Sequence, residues 1–105
     1  MAFVPVLRQD DVVEGHPQLV TIDGTDVAIF RVGHEVFAID DLCSHAEASL
    51  AEGDQRGYII ECPRHGGRFD IRTGQAKHFP AVSPVRTFKT KVEDGQIFVD
   101  LDSSA

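Results

Sequence analysis

The sequence predicts an all-β fold, a small antiparallel barrel or sandwich. Three observations carry this. Short β-branched and aromatic runs recur along the chain, turn residues separate them at close spacing, and helical pattern is nearly absent.

Gln18–Ile22 reads as a strand, and Asp23-Gly24 offers the turn into a second strand over Asp26–Val32. Gly33-His34 turns the chain into Glu35–Ile39, and Gly57–Glu61 is a further short apolar run. Val85–Val92 alternates with period two, Asp94-Gly95 is a hairpin signal, and Gln96–Leu101 alternates back. The one stretch with helical propensity, Glu47–Glu52, is about one turn long. The stretch from about Asp41 to Pro84 is rich in Gly, His, Pro, Cys and Arg and poor in strand pattern. In a regular β-domain such a stretch is where function concentrates.

With 105 residues and 42% hydrophobic content, the chain suits a single domain over residues 1–105 with a modest core. No repeat, low-complexity tract or linker divides it. Apolar runs such as Val27–Phe30 fall far short of the roughly 20 residues that span a bilayer, so no membrane association is expected. Met1–Pro5 lacks the features of a signal peptide, which predicts a cytoplasmic protein.

Net charge is −7, unevenly placed: residues 1–55 carry eleven acids against two bases, and residues 56–105 six acids against eight. This balance disfavours nucleic acid, whose affinity rests on phosphate neutralisation. It suits either simple solubility or an encounter with a basic patch on a partner protein.

Two short motifs carry the chemistry. They are Cys43-Ser44-His45 and Cys62-Pro63-Arg64-His65, with sixteen residues between His45 and Cys62. A disulfide between the two cysteines is possible by count, but a leaderless chain argues for metal. Zinc fingers usually pair Cys with Cys and His with His. Here each loop holds one of each, which fits a [2Fe–2S] cluster with one iron on both cysteines and the other on both histidines. Two ferric ions, two sulfides and two thiolates sum to zero charge, whereas four thiolates would leave a dianion. Reduction is therefore easier, moving the potential from about −400 mV into a range of about −150 to +300 mV. A structural zinc interaction module on the same four residues is the alternative.

Gly66-Gly67 allows close backbone approach and N–H donation to sulfur, and Phe79–Pro84 reads as a stiff loop that either covers the site or merely connects. His16, His34 and His78 have no partner at ligand spacing and read as loop or surface residues. Arg64, Arg68 and Arg72 read as solvated, or as a border that selects an acidic partner, and Phe69 as core.

The run from Cys43 through Cys62-Pro63-Arg64-His65-Gly66-Gly67-Arg68-Phe69-Asp70-Ile71-Arg72-Thr73-Gly74 resembles the signature of Rieske ferredoxins from bacterial ring-hydroxylating dioxygenase systems. The resemblance extends over most of the chain. It implies a Rieske fold, antiparallel sheets with a cluster-binding subdomain inserted around residues 42–78. It also implies that Cys43, His45, Cys62 and His65 hold the cluster, with the histidines near the surface. The implied role is that of a one-electron carrier and not an enzyme. An NAD(P)H-dependent flavin reductase would supply the electron, and a terminal oxygenase acting on an aromatic compound would receive it. A monomer in isolation is expected. The respiratory branch adds a second, disulfide-forming cysteine to each loop and places hydroxyls near the cluster. Here no further cysteine exists, and Gly67 and Phe69 stand at the hydroxyl positions. That places the expected potential toward the low end of the Rieske range. A Rieske-like small subunit of another reductase, such as nitrite reductase, is the rival within the fold.

Overall fold

The computed structural model describes residues 3–42, 48–64, 66–78 and 83–102. Among the described residues ten strands follow in chain order: β1 (Val4–Arg8), β2 (Gln18–Ile22), β3 (Thr25–Val32), β4 (Glu35–Asp40), β5 (Asp54–Arg56), β6 (Ile59–Glu61), β7 (Arg68–Asp70), β8 (Ala76–His78), β9 (Thr87–Glu93) and β10 (Gln96–Asp100). They form a six-stranded, nearly closed sheet in the order β1-β10-β9-β4-β3-β2, and a four-stranded sheet in the order β5-β6-β7-β8. Every pairing is antiparallel. The all-β expectation holds.

Local chemistry accounts for the hairpins. Asp23 and Gly24 have φ of +49° and +80°, and Asp94 and Gly95 have φ of +52° and +76°. Two successive positive φ values give the turn whose twist matches the flanking strands. They set the pairs Ile22–Thr25 and Glu93–Gln96 at the two turns.

β3 explains its own unbroken apolar run. Val27 and Ile29 point into one core with Ala38, Phe88, Ile97 and Val99. Ala28 and Phe30 point into a second core with Ile39, Leu50, Ile60, Cys62, Phe69 and Ile71. A strand covered on both faces reads as continuous hydrophobicity, not alternation. The small sheet packs on the large one through this second core.

Three features differ from expectation or were not foreseen. The stretch poor in strand pattern contains the whole small sheet. Its strands are three residues long, and Asp54-Gln55-Arg56 has no apolar residue to alternate. Order there comes instead from pairing and from buried Gln55, which donates to the carbonyls of Arg31 and Gly57 and accepts from Gly15 N–H. β1 carries Pro5 and lies at the sheet edge, where a residue without an N–H is tolerated. The helical turn expected over Glu47–Glu52 is a 3₁₀ turn over Leu50–Glu52 alone. Ser49 is held in an extended bridge with Leu42, which prevents an earlier helical start, and Glu47 lies outside the described residues. No helix among the described residues is long and apolar enough to cross a membrane.

Candidate metal centre

Of the four expected ligands, Cys62 is described; Cys43, His45 and His65 lie outside the described residues. The surroundings of both loops are on view, and they are built differently.

The second loop leaves β6 at Cys62 and returns into β7. Cys62 N–H donates to Gly67 O at 2.7 Å, and Gly66 N–H donates to Cys62 O at 3.2 Å. These two backbone bonds close the turn, and Gly66 supplies the left-handed φ of +77° that it needs. The Gly66 N–H, expected to point at sulfur, is used inside the turn. Cys62 is 1% exposed and carries a free thiol, packed with Leu50, Ile60, Phe69 and Ile71.

The first loop is fixed at its two ends. Leu42 and Ser49 pair in an isolated bridge that brackets residues 43–48. Asp41, almost wholly buried, accepts at Oδ1 from Ser49 Oγ at 2.9 Å and from Ala51 N–H at 2.8 Å. Its carbonyl accepts from Leu50 N–H and its N–H donates to Asp26 O. The loop exit then passes close to the second loop: a Cβ on Gly53 would collide with the carbonyl oxygen of Glu61, the residue before Cys62. Ala48 and Leu50 from one loop share an apolar cluster with Cys62 and Phe69 from the other. The fold therefore brings the ends of both motif loops to one place.

The nearby arginines are paired, not merely solvated. Arg68 Nε donates to Glu61 Oε1 at 3.0 Å across the β6–β7 pair. Arg72 grips buried Asp70 with Nε at 3.1 Å and Nη2 at 2.9 Å, and lies 4.2 Å from the Tyr58 ring centroid. The Arg72 hydrogen bond holds the Asp70 carboxyl below its ordinary value, against the opposing effect of burial. Tyr58 stands edge-on to Phe37 and donates to Glu35 Oε1 at 2.6 Å, which raises its own pKa. His16 and His34 are exposed, and His78 belongs to β8. Asp41, Gln55, Tyr58 and Asp70 escaped the sequence reading. A polar residue at a strand end gives no sign of burial until its partners are placed.

Residues 2–89 match the Rieske [2Fe–2S] domain family. The chain belongs to this family. Its relatives include the ferredoxin component of the p-cumate 2,3-dioxygenase system of Pseudomonas putida, 52% identical over 101 residues, which are 94% of this chain and 86% of that protein. Among solved structures, the ferredoxin of carbazole 1,9a-dioxygenase from Nocardioides aromaticivorans is 42% identical with a TM-score of 0.91, covering 94% of this chain and 97% of the other. The ferredoxin in a complex of reduced oxygenase and oxidised ferredoxin of carbazole 1,9a-dioxygenase is 36% identical with a TM-score of 0.88, covering 92% and 91%. The Rieske domain takes a Rieske-type [2Fe–2S] cluster as its cofactor and is an electron carrier, not a catalyst. A buried free thiol at the head of a backbone-closed turn, beside the clamped ends of a second Cys/His loop, fits that group. The zinc alternative loses its ground with this assignment.

Proposed function

We propose that Cys43 and Cys62 ligate one iron and His45 and His65 the other, in a cluster-binding subdomain over about residues 42–78 of a single domain. The observation that carries this is the convergence of the two loop bases on one apolar cluster around Cys62. When bound, the cluster supplies a one-electron store at a potential set by neutral histidine ligands. The chain's own part is to hold that store rigidly and in low dielectric. Cys62 is kept from water by Leu50, Ile60 and Phe69, and backbone hydrogen bonds through Gly66 and Gly67 fix the turn around it.

The partners proposed are those of a multicomponent dioxygenase system. An NAD(P)H-dependent flavin reductase gives the electron and a terminal ring-hydroxylating oxygenase receives it, in the cytoplasm. The solved complex of a related ferredoxin with its oxygenase supports the second partner. The small-subunit role in another reductase finds less support: the relatives named above are ferredoxin components of dioxygenase systems, whereas the similar nitrite reductase small subunits are only 23% and 24% identical. Docking is transient and assisted by the net charge of −7.

The test is a visible spectrum with EPR of the dithionite-reduced protein. A coloured protein with a rhombic signal is expected. Replacing any of the four ligands by alanine should abolish that signal. A colourless, EPR-silent wild type would sink the assignment.

A further inference from the structure

We propose that Asp41 is a positioning residue that pins the two ends of the first ligand loop together for the cluster; this rests on the ligand assignment above. The two loops reach closure by different means. The second uses its own backbone, through Cys62 and Gly67. The first depends on a side chain from outside the loop. Asp41 Oδ1 takes two donors, Ser49 Oγ and Ala51 N–H, both on the far side of residues 43–48. The Asp41 backbone adds a third link through its carbonyl to Leu50 N–H.

The anchor is itself anchored. Asp41 N–H donates to Asp26 O, and the Asp26 carboxylate accepts from Thr21 Oγ1 at 2.7 Å. A line of hydrogen bonds thus runs from β2 through β3 to both ends of the loop. Asp41 is 4% exposed, and a buried carboxyl is costly unless it is hydrogen-bonded. Its two donors meet that need, and in doing so they fix the span between Leu42 and Ser49. Cys43 and His45 fall in sequence between these two fixed positions. Partners one shell out from a metal centre act in this way, orienting ligands without touching the metal.

The experiment follows loss of the cluster's visible absorbance from purified holoprotein challenged with an iron chelator at constant neutral pH. Far-UV circular dichroism monitors the polypeptide in parallel. Asp41→Ala is expected to lose absorbance roughly tenfold to a hundredfold faster than wild type. Asp41→Asn should recover most of the difference, because its amide oxygen accepts the same two donors. Ser49→Ala, which removes one donor, should fall between. If Asp41→Ala does not accumulate folded, Ser49→Ala decides: accelerated loss supports the proposal and a wild-type rate overturns it. A wild-type rate in Asp41→Ala, or an Asp41→Asn variant as labile as Asp41→Ala, also overturns it. A wild type lacking the Rieske spectrum overturns the ligand assignment and this inference together, whereas a stable cluster in Asp41→Ala overturns this inference alone.

Discussion

The Tyr58 hydroxyl donates a 2.6 Å hydrogen bond to Glu35 Oε1, joining the turn of the β5–β6 hairpin to the first residue of β4. Tyr58 is the chain's single tyrosine. Its pKa is raised, first by this hydrogen bond and then by burial and the Glu35 charge. An ultraviolet difference titration reads the group directly, and its midpoint should lie above the ordinary value of about 10. Glu35→Ala should lower it. The sign for stability follows: folding favours the neutral phenol, so the contribution is complete below about pH 10 and is lost as pH rises through the elevated value.

Arg72 joins Tyr58 to Asp70, stacking on one and forming a forked pair with the other. Its own side chain is half exposed, which reduces the worth of the pair, but Asp70 is buried. Arg72→Ala leaves that carboxylate with fewer donors and should lower the midpoint of the holoprotein's urea unfolding. Asp70 is held below its ordinary value. Its stabilisation is therefore present above about pH 4 and is lost only as acid titrates it through the depressed value. The variant's deficit should be full at neutral pH.

Two glycines with similar backbone angles should respond differently to alanine. Gly33 and Gly74 have φ of +60° and +77°. A Cβ on Gly33 meets nothing, whereas one on Gly74 runs into the carbonyl oxygen of Val85. Gly74 O also accepts the Val85 N–H at 2.9 Å, linking the turn after β7 to the segment that leads into β9. Gly33→Ala should cost about 1 kcal/mol from backbone strain alone. Gly74→Ala should cost clearly more in the same denaturant titration, because the Val85 contact must also open.

The reduction potential should lie toward the low end of the range of about −150 to +300 mV. Phe69 is fully buried in the cluster that holds Cys62, and it brings no hydroxyl to that neighbourhood; nor does Gly67. Donors toward the sulfurs stabilise the reduced state. Phe69→Tyr should therefore raise the midpoint in a potentiometric titration read by EPR. A wild-type midpoint well above zero would contradict this reading.

Strands whose chemistry is local were legible in the sequence. β2 begins and ends where its apolar residues and the Asp23-Gly24 turn place it, and β9–β10 follow from alternation and Asp94-Gly95. The two Cys/His motifs stand out in the sequence because thiol and imidazole at such close spacing have few other uses; of the four proposed ligands, Cys62 alone lies among the described residues. What escaped depends on partners distant in sequence. β5 is polar throughout and exists through Gln55, whose donors and acceptors come from Gly15, Arg31 and Gly57. Asp41 looked like one more surface acid in an acidic half of the chain. Its role appears only once Ser49 and Ala51 are folded back onto it.

The shared wall formed by β3 and β4 bears on portability. The floor beneath Cys62 is made in part by Ala28, Phe30 and Ile39, which belong to the large sheet. A segment of residues 42–78 cut out and grafted elsewhere would leave Leu50, Ile60, Phe69 and Ile71 facing water. The site can be transplanted only into a host that offers an equivalent apolar β-surface, so its redox chemistry travels with the barrel and not with the two loops alone.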